Sequence, residues 1–119
     1  MERKIVVGGC RNYNDYEAFK SHLDEIIKNK NDEITIISGH CSGVDLMGER
    51  YAEENGFKIA IFLPEWEKYG RAAGPIRNEK MVNAADLVIA FWDGKSKGTK
   101  SLIKYAEKQN KELVKVDIK

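Results

Sequence analysis

Apolar and polar positions alternate along the chain in a pattern that predicts strands and helices in turn. Short β-branched or apolar runs typical of strands occur at residues 4–7, 33–37, 57–63, 86–92 and 113–118. Between them, apolar residues recur every three or four positions, as on the buried face of a helix. The run at 86–92 is almost uninterrupted, which favours a strand buried on both faces.

Local signals place the ends of the four predicted helices. Asn14, with Glu17 three residues later, predicts a capping box at the start of the first helix. The second helix is predicted to follow Ser42 and Gly43 and to stop at Asn55-Gly56. Pro75 and Thr99 mark the predicted starts of the third and fourth helices, and residues 65–74 are expected to form an irregular loop.

Five strands alternating with four helices are typical of an α/β protein with a parallel sheet. Right-handed crossovers leave few topologies for such a chain. We therefore expect residues 1–119 to form a single Rossmann-like domain with three αβα layers. The predicted sheet has five parallel strands in the order 3-2-1-4-5.

Composition and charge narrow the class of partner. The 119 residues are 42% hydrophobic and 33% charged, with a formal charge of +1. Lysine and arginine are spread along the sequence with no contiguous basic block, so bulk electrostatics give no support for a nucleic-acid partner. No run resembles a signal peptide or reaches membrane-spanning length. We therefore expect a cytoplasmic protein that has no membrane partner and whose cysteines are reduced.

Glycine and small polar residues follow three of the predicted strands. The segments are Gly8-Gly9-Cys10-Arg11, residues 38–43 and residues 93–99. In parallel sheets, ligands bind outside the carboxyl ends of the strands, where the winding direction reverses. That point falls between strands 1 and 4. Glycine lets backbone amides approach a ligand, and a helix starting there offers unpaired N–H groups to an anion.

The predicted site therefore suits a phosphate-bearing ligand of nucleotide type and requires no cofactor. Its candidate ligand-binding residues are Gly8, Gly9, Cys10, Arg11, Ser38, Gly39, Ser42, Gly43, Asp45, Gly98 and Thr99. The sequence has neither a G-x-G-x-x-G fingerprint nor a P-loop, which argues against an ordinary NAD dehydrogenase or ATPase.

Several candidate side chains have two interpretations. Asp45 either stabilises a helix dipole or bonds a ribose hydroxyl or a base edge. Cys10, His40 and Cys41 lie at neighbouring strand ends, but they lack a fourth ligand and a zinc-type spacing, so no metal is expected. Trp66, Tyr69 and Trp92 are candidates for stacking on a base. Trp92 is expected in the core, whereas Trp66 and Tyr69 either close over a ligand or contact another subunit.

The glycine-bearing segments after strands 1, 2 and 4, together with the segment from Gly70 to Asn78, resemble the YspA-type branch of the SLOG superfamily. Members of this superfamily have a Rossmann-like fold. The resemblance spans nearly the whole chain, and its most specific piece is the segment from Gly70 to Asn78. The superfamily includes the LOG phosphoribohydrolases and the DNA-processing protein DprA. The resemblance implies binding or processing of nucleotide-derived ligands, and its most specific segment adds Arg77 and Asn78 to the candidate ligand-binding residues.

The comparison with LOG enzymes also identifies candidate catalytic residues. Arg77, followed by Met81 and Ala85-Asp86, is similar to the LOG stretch that carries the catalytic arginine. Gly98-Thr99 matches part of a second LOG motif, but Ser101 stands where the resemblance implies a catalytic glutamate. Asp45 or Glu79 are the carboxylates that could act in its place.

Three hypotheses follow, and the sequence leaves open whether the protein is an enzyme. The first is a module that binds or senses a nucleotide or nucleotide derivative. The second is a nucleotide-processing hydrolase that uses Arg77, Asp45 and Glu79. The third is a DprA-like module that handles nucleic acid or binds a protein, which the near-neutral charge disfavours. A homodimer is compatible with all three.

Overall fold

The computed structural model describes residues 2–118, which form one sheet with helices on both faces. In chain order the elements are β1 (Glu2–Gly9), α1 (Tyr16–Ile26), β2 (Glu33–Ser38), α2 (Val44–Asn55), β3 (Lys58–Ile61), α3 (Trp66–Tyr69), α4 (Ala73–Ala84), β4 (Leu87–Trp92), α5 (Lys97–Lys108) and β5 (Glu112–Asp117).

The five strands are all parallel and lie in the order β3-β2-β1-β4-β5. β1 is central: Ile5 pairs with Ile36 of β2 on one side and with Leu87 of β4 on the other. Parallel neighbours require crossover connections, and the helices supply them. The predicted fold class and strand order are confirmed.

Each face of the sheet has its own hydrophobic cluster. Phe19 and Leu23 of α1 pack with Val44 and Tyr51 of α2 on one face. On the other face, Val82 of α4 and the apolar residues of α5 pack against the alternate strand positions. Residues 88–91 of β4 are fully buried, as the apolar run predicts for a strand covered on both sides.

The start of α1 differs from the capping box predicted from the sequence. The N-cap is Asp15, whose carboxylate accepts the Ala18 N–H at 3.1 Å, so the prediction for Asn14 was wrong by one residue. Both residue types cap helices well, and Asp15 is the one whose oxygen reaches the third helical N–H. The carboxyl-terminal end of α2 is where the sequence predicted it, because Gly56 adopts the left-handed conformation that ends the helix.

Residues 65–74 are more regular than predicted. They contain α3, a 3-10 turn at Gly70–Ala72 and the first two residues of α4. Pro75 is thus the third residue of α4 rather than its start. Proline is tolerated there because the first N–H groups of a helix have no intrahelical partner. α5 likewise begins at Lys97 with Ser96 as its cap, two residues before the predicted start at Thr99.

The strand boundaries shift by a few residues. β1 is longer than predicted because both of its neighbours pair with it, whereas the edge strand β3 retains only residues 58–61 of the predicted 57–63. In residues 2–118 no helix is long and apolar enough to cross a bilayer.

Substituting the two cap candidates tests which residue starts α1. We expect Asp15→Ala to lower the free energy of unfolding by about 1 kcal/mol, because the Ala18 N–H loses its acceptor. Asn14→Ala, the matched control, is expected to change it by less than about 0.5 kcal/mol. Urea unfolding of both variants checks this, and a larger loss for Asn14→Ala would restore the original prediction.

Candidate functional site

A cavity of about 450 Å³ opens at the carboxyl ends of β1 and β4. From β1 the chain passes to α1 on one face of the sheet, and from β4 it passes to α5 on the other face. Because the two connections diverge, neither fills the space between the strand ends. This is the switch point at which the sequence placed the site.

Nine predicted ligand-binding residues line the cavity. They are Gly8, Gly9, Cys10, Arg11, Asp45, Arg77, Asn78, Gly98 and Thr99. They come from the end of β1 and the loop after it, and from the amino-terminal halves of α2, α4 and α5. The helix starts thus converge on one space together with the ends of two central strands.

Other residues of the lining were not predicted as ligand contacts. They are Asn12, Cys41, Met81, Asp93, Lys95, Ser96 and Leu102. Asp93, Lys95 and Ser96 lie in the loop between β4 and α5, for which the sequence predicted contacts from backbone amides rather than from side chains. Met81 follows Arg77 by one helical turn, so helical spacing was the signal that could have found it.

Some predicted site residues lie outside the cavity lining. Ser38 is fully buried and donates its hydroxyl to Glu49 at 2.7 Å, which is a structural contact between β2 and α2. Ser42 is exposed on the loop before α2. Glu79, a proposed catalytic carboxylate, is half-buried on α4 but does not line the cavity.

Gly43 is required by the fold. Its φ of +80° and ψ of −126° suit glycine alone, and a Cβ atom would lie 2.4 Å from the carbonyl oxygen of Cys10 and 2.5 Å from that of Arg11. The close approach lets the Val44 N–H donate to the Cys10 carbonyl at 3.2 Å. This glycine joins the loop after β1 to the start of α2.

Asp45 supplies a buried carboxyl group to the cavity. It is 7% exposed, and its oxygens accept the N–H of Cys41, at 3.2 Å, and that of Gly9. Burial raises the pKa of Asp45 to about 6, although the two N–H groups and the charge of Arg77 act in the opposite direction. Because Asp45 engages these amides and faces Arg77, its contacts extend beyond the helix dipole.

Arg77 closes the side of the cavity next to β2 and β3. Its guanidinium donates to the carbonyls of Gly39, at 2.9 Å, and Phe62, at 3.4 Å, and to the Asn78 side chain at 3.0 Å. Gly39 does not itself line the cavity. A Cβ atom on it would lie 2.8 Å from the Arg77 guanidinium and 3.0 Å from the Asp45 carboxylate, so glycine allows both groups to approach β2.

Many of the amides predicted to face a ligand already have partners. Besides the amides bound by Asp45, the His40 N–H donates to Ser38 and the Thr99 N–H to Ser96. The Asp93 carboxylate accepts the N–H groups of Lys95 and Ser96, both at 2.8 Å, and these bonds lower its pKa. In the part of the chain described, the N–H of Gly98 finds no acceptor, because the first turn of a helix provides none.

The two cysteines and His40 have separate surroundings. Cys10 is buried, and burial raises the pKa of its thiol. Cys41 lines the cavity beside Arg11, whereas the His40 ring lies outside the lining and bonds Glu49 at 2.8 Å. Residues 2–118 contain no group of three or more His, Cys, Asp or Glu side chains that could hold a metal ion.

None of the three candidate stacking residues lines the cavity. Trp92 is half-buried, and its indole N–H donates to the Ser96 carbonyl at 3.0 Å. Trp66 is 57% exposed, and Tyr69 lines a second, smaller cavity of about 160 Å³ that shares Arg77. Apolar contacts in the main cavity come from Met81 and Leu102 instead.

The parallel sheet, its strand order and the cavity at the switch point define a Rossmann-like α/β protein. The chain belongs to the YspA, cpYpsA-related SLOG family (YAcAr), whose profile matches residues 3–69. Over 112 residues it is 29% identical to the Gene 61 protein of Mycobacterium phage D29, and the alignment covers 89% of this chain and 90% of that protein.

Two solved structures share the fold. DNA processing protein A (DprA) from Streptococcus pneumoniae superposes with a TM-score of 0.76 and 17% identity, covering 100% of this chain and 51% of that chain. TM1055, a structural genomics target, has a TM-score of 0.67 and 19% identity, covering 95% of this chain and 72% of that chain. This chain therefore spans about half the length of DprA, and the likeness concerns the fold alone.

The raised pKa of Asp45 has a consequence for stability. The folded protein holds this proton up to about pH 6, whereas the unfolded chain releases it near pH 4. Between these values the folded state binds more protons, so this group makes the protein less stable as pH rises. We expect Asp45→Asn to gain about 2–3 kcal/mol relative to the wild type between about pH 4 and pH 7.

Denaturant unfolding of both proteins at several pH values measures that difference directly. Other carboxylates contribute equally to both proteins and cancel. A constant difference across the range would mean that Asp45 titrates normally.

Gly43, before α2, and Gly98, in the first turn of α5, are expected to respond oppositely to alanine. Gly43→Ala is expected to cost about 2–3 kcal/mol or more, because the backbone conformation is strained and two carbonyl oxygens block the Cβ atom. Gly98→Ala is expected to be neutral or to stabilise by up to about 1 kcal/mol, since its Cβ atom would enter open space in a helix. Thermal unfolding compares them, and equal effects would contradict this assignment.

Proposed function

We propose that the protein binds or senses a nucleotide or nucleotide-derived ligand in the cavity between the ends of β1 and β4. The observation that carries the proposal is the combination of charges around one cavity. Arg11, Arg77 and Lys95 supply three cations, and Asp45 and Asp93 supply two carboxylates. Such a lining suits a ligand with an anionic part and a hydroxyl-bearing part.

The anionic part fits best at the start of α5. The Gly98 N–H has no partner among residues 2–118, and the amino-terminal end of the helix carries a partial positive charge. Lys95 lines the same side of the cavity. A phosphate there would gain a backbone hydrogen bond and a mobile cation without displacing any bond described above. Amides that already have partners contribute by shaping the loop.

The hydroxyl-bearing part fits at Asp45. A buried carboxylate that already accepts two N–H groups retains lone pairs for a ribose hydroxyl. Arg77 lies close to it beside Gly39 and is held by the carbonyls of Gly39 and Phe62. Arg77 thus has a fixed position, and fixed donors bind a ligand with little loss of conformational entropy.

A second candidate function is hydrolysis of the same ligand. A carboxyl with a pKa of about 6 can exchange protons near neutral pH, as a general acid or base must. Glu79 and Ser101 give no support, since neither lines the cavity. Incubation with nucleoside monophosphates separates the candidates: binding alone leaves them intact, whereas a hydrolase releases free base and loses that activity in Asp45→Asn.

A valine at Gly98 tests the binding site without altering the fold. Both Gly98 and Gly74 are the second residue of a helix, and at neither would a Cβ atom meet backbone. We expect Gly98→Val to abolish nucleotide binding, because the side chain would occupy the phosphate position. Gly74→Val is the matched control, since residue 74 lies outside the cavity lining.

The measurement is a thermal-shift screen against nucleoside mono-, di- and triphosphates, followed by calorimetric titration. A ligand present at about 100 times its dissociation constant adds about 2.7 kcal/mol of stability, which is readily visible. We expect a shift for the wild type and for Gly74→Val but none for Gly98→Val. Absence of any shift, or an equal shift in both variants, would refute binding at this site.

A further inference from the structure

α5 carries four lysines on one face, which we call the lysine stripe: Lys97, Lys100, Lys104 and Lys108. Their spacing of three or four residues keeps them on one side of the helix, about 4.5–6 Å apart along its axis. All four are exposed, and they line an open groove together with Ser101 and Tyr105. The opposite face of α5 is buried in the core.

The lysine stripe has no ion-pair partner among residues 2–118. No carboxylate in residues 2–118 lies within 4.0 Å of any of its ammonium groups. Glu107 is the single acidic residue of α5. Like charges one helical turn apart destabilise a helix, and Lys97 at its start opposes the helix dipole, although Lys108 in the last turn favours it. The spacing of the lysines therefore does not serve the stability of the helix.

The net charge of the chain gives no indication that this face of α5 is positively charged. Two or three other residues separate successive lysines, among them Leu102, Ile103 and Ala106 of the core, so the sequence contains no contiguous basic block. Only the helical period brings them together. The local field of the groove is thus strongly positive although the chain as a whole carries a formal charge of +1.

We propose that the lysine stripe and Tyr105 bind single-stranded nucleic acid, with the lysines on successive phosphates and the tyrosine ring against a base. A positive groove that follows the backbone, interrupted by an aromatic side chain, is the arrangement that such ligands require. Tyr105 is half-buried against the core, so its ring is fixed in the groove. This proposal is independent of the nucleotide cavity.

The groove is less suited to an anionic membrane. Membrane-binding helices place large apolar side chains beside their lysines. The exposed large apolar residues among residues 2–118 are Leu46, Ile61, Leu63 and Trp66, and none of them lies on α5.

Fluorescence anisotropy of a labelled oligothymidylate tests the electrostatic part. If four phosphates are neutralised, affinity is expected to fall about fifty-fold between about 50 mM and 200 mM salt. The triple variant Lys100→Gln, Lys104→Gln, Lys108→Gln is expected to bind more weakly and to lose only about threefold over the same range. Lys97 is left unchanged because it adjoins the nucleotide cavity.

The matched control changes the same net charge elsewhere. Lys20, Lys28 and Lys58 are exposed and lie outside the groove lining, and their triple change to Gln is expected to keep most of the affinity and the salt dependence. Circular dichroism verifies folding of both proteins, which removal of exposed like charges should not impair. Equal losses of affinity in the two triple variants would show that binding depends on net charge alone and would overturn the proposal.

Two tyrosine variants test the stacking part. Tyr105→Phe retains the ring and is expected to bind like the wild type, whereas Tyr105→Leu retains apolar packing and is expected to bind at least about fivefold more weakly. Equal binding by these variants, equal affinity for a duplex of matched length, or binding of phosphatidylserine vesicles in place of the oligonucleotide would each contradict the proposal.

Discussion

The buried carboxyl of Asp45 is the interaction on which the geometry of the cavity depends. It accepts N–H groups from Gly9 and Cys41 and thereby joins the loops after β1 and β2 to the first turn of α2. Burial opposes its ionisation and raises its pKa to about 6, so the ionised group costs the fold free energy at neutral pH. A hydrophobic residue could fill the same volume without that cost but would leave two amides without an acceptor.

The position of the cavity follows from the topology. β1 and β4 are neighbours, yet their following helices lie on opposite faces of the sheet. Hydrophobic periodicity predicted this arrangement because the apolar runs set the strands and right-handed crossovers set their order. The same reasoning placed Gly98 beside the strand ends, whereas Arg77 and Asn78 were predicted from the family resemblance; all three line the cavity.

Other features depend on side-chain contacts that periodicity does not encode. The sequence cannot distinguish a glycine required by a close backbone approach, such as Gly43, from one that faces open space, such as Gly98. Nor does it reveal that Asp93 caps its own loop or that Glu79 lies outside the cavity lining. The lysines of α5 are separated in the sequence, but the helix places them on one face. Net charge alone therefore says little about the charge of one part of the surface.

Nuclear magnetic resonance can follow both the ionisation of Asp45 and the binding of a nucleoside monophosphate. The relevant signals are the Asp45 carboxyl carbon and the backbone amides. We expect an Asp45 pKa near 6 in the free protein and ligand-induced shifts at Gly9, Cys41 and Gly98. A carboxyl that titrates near pH 4, together with ligand-induced shifts confined to residues outside the cavity lining, would contradict both expectations.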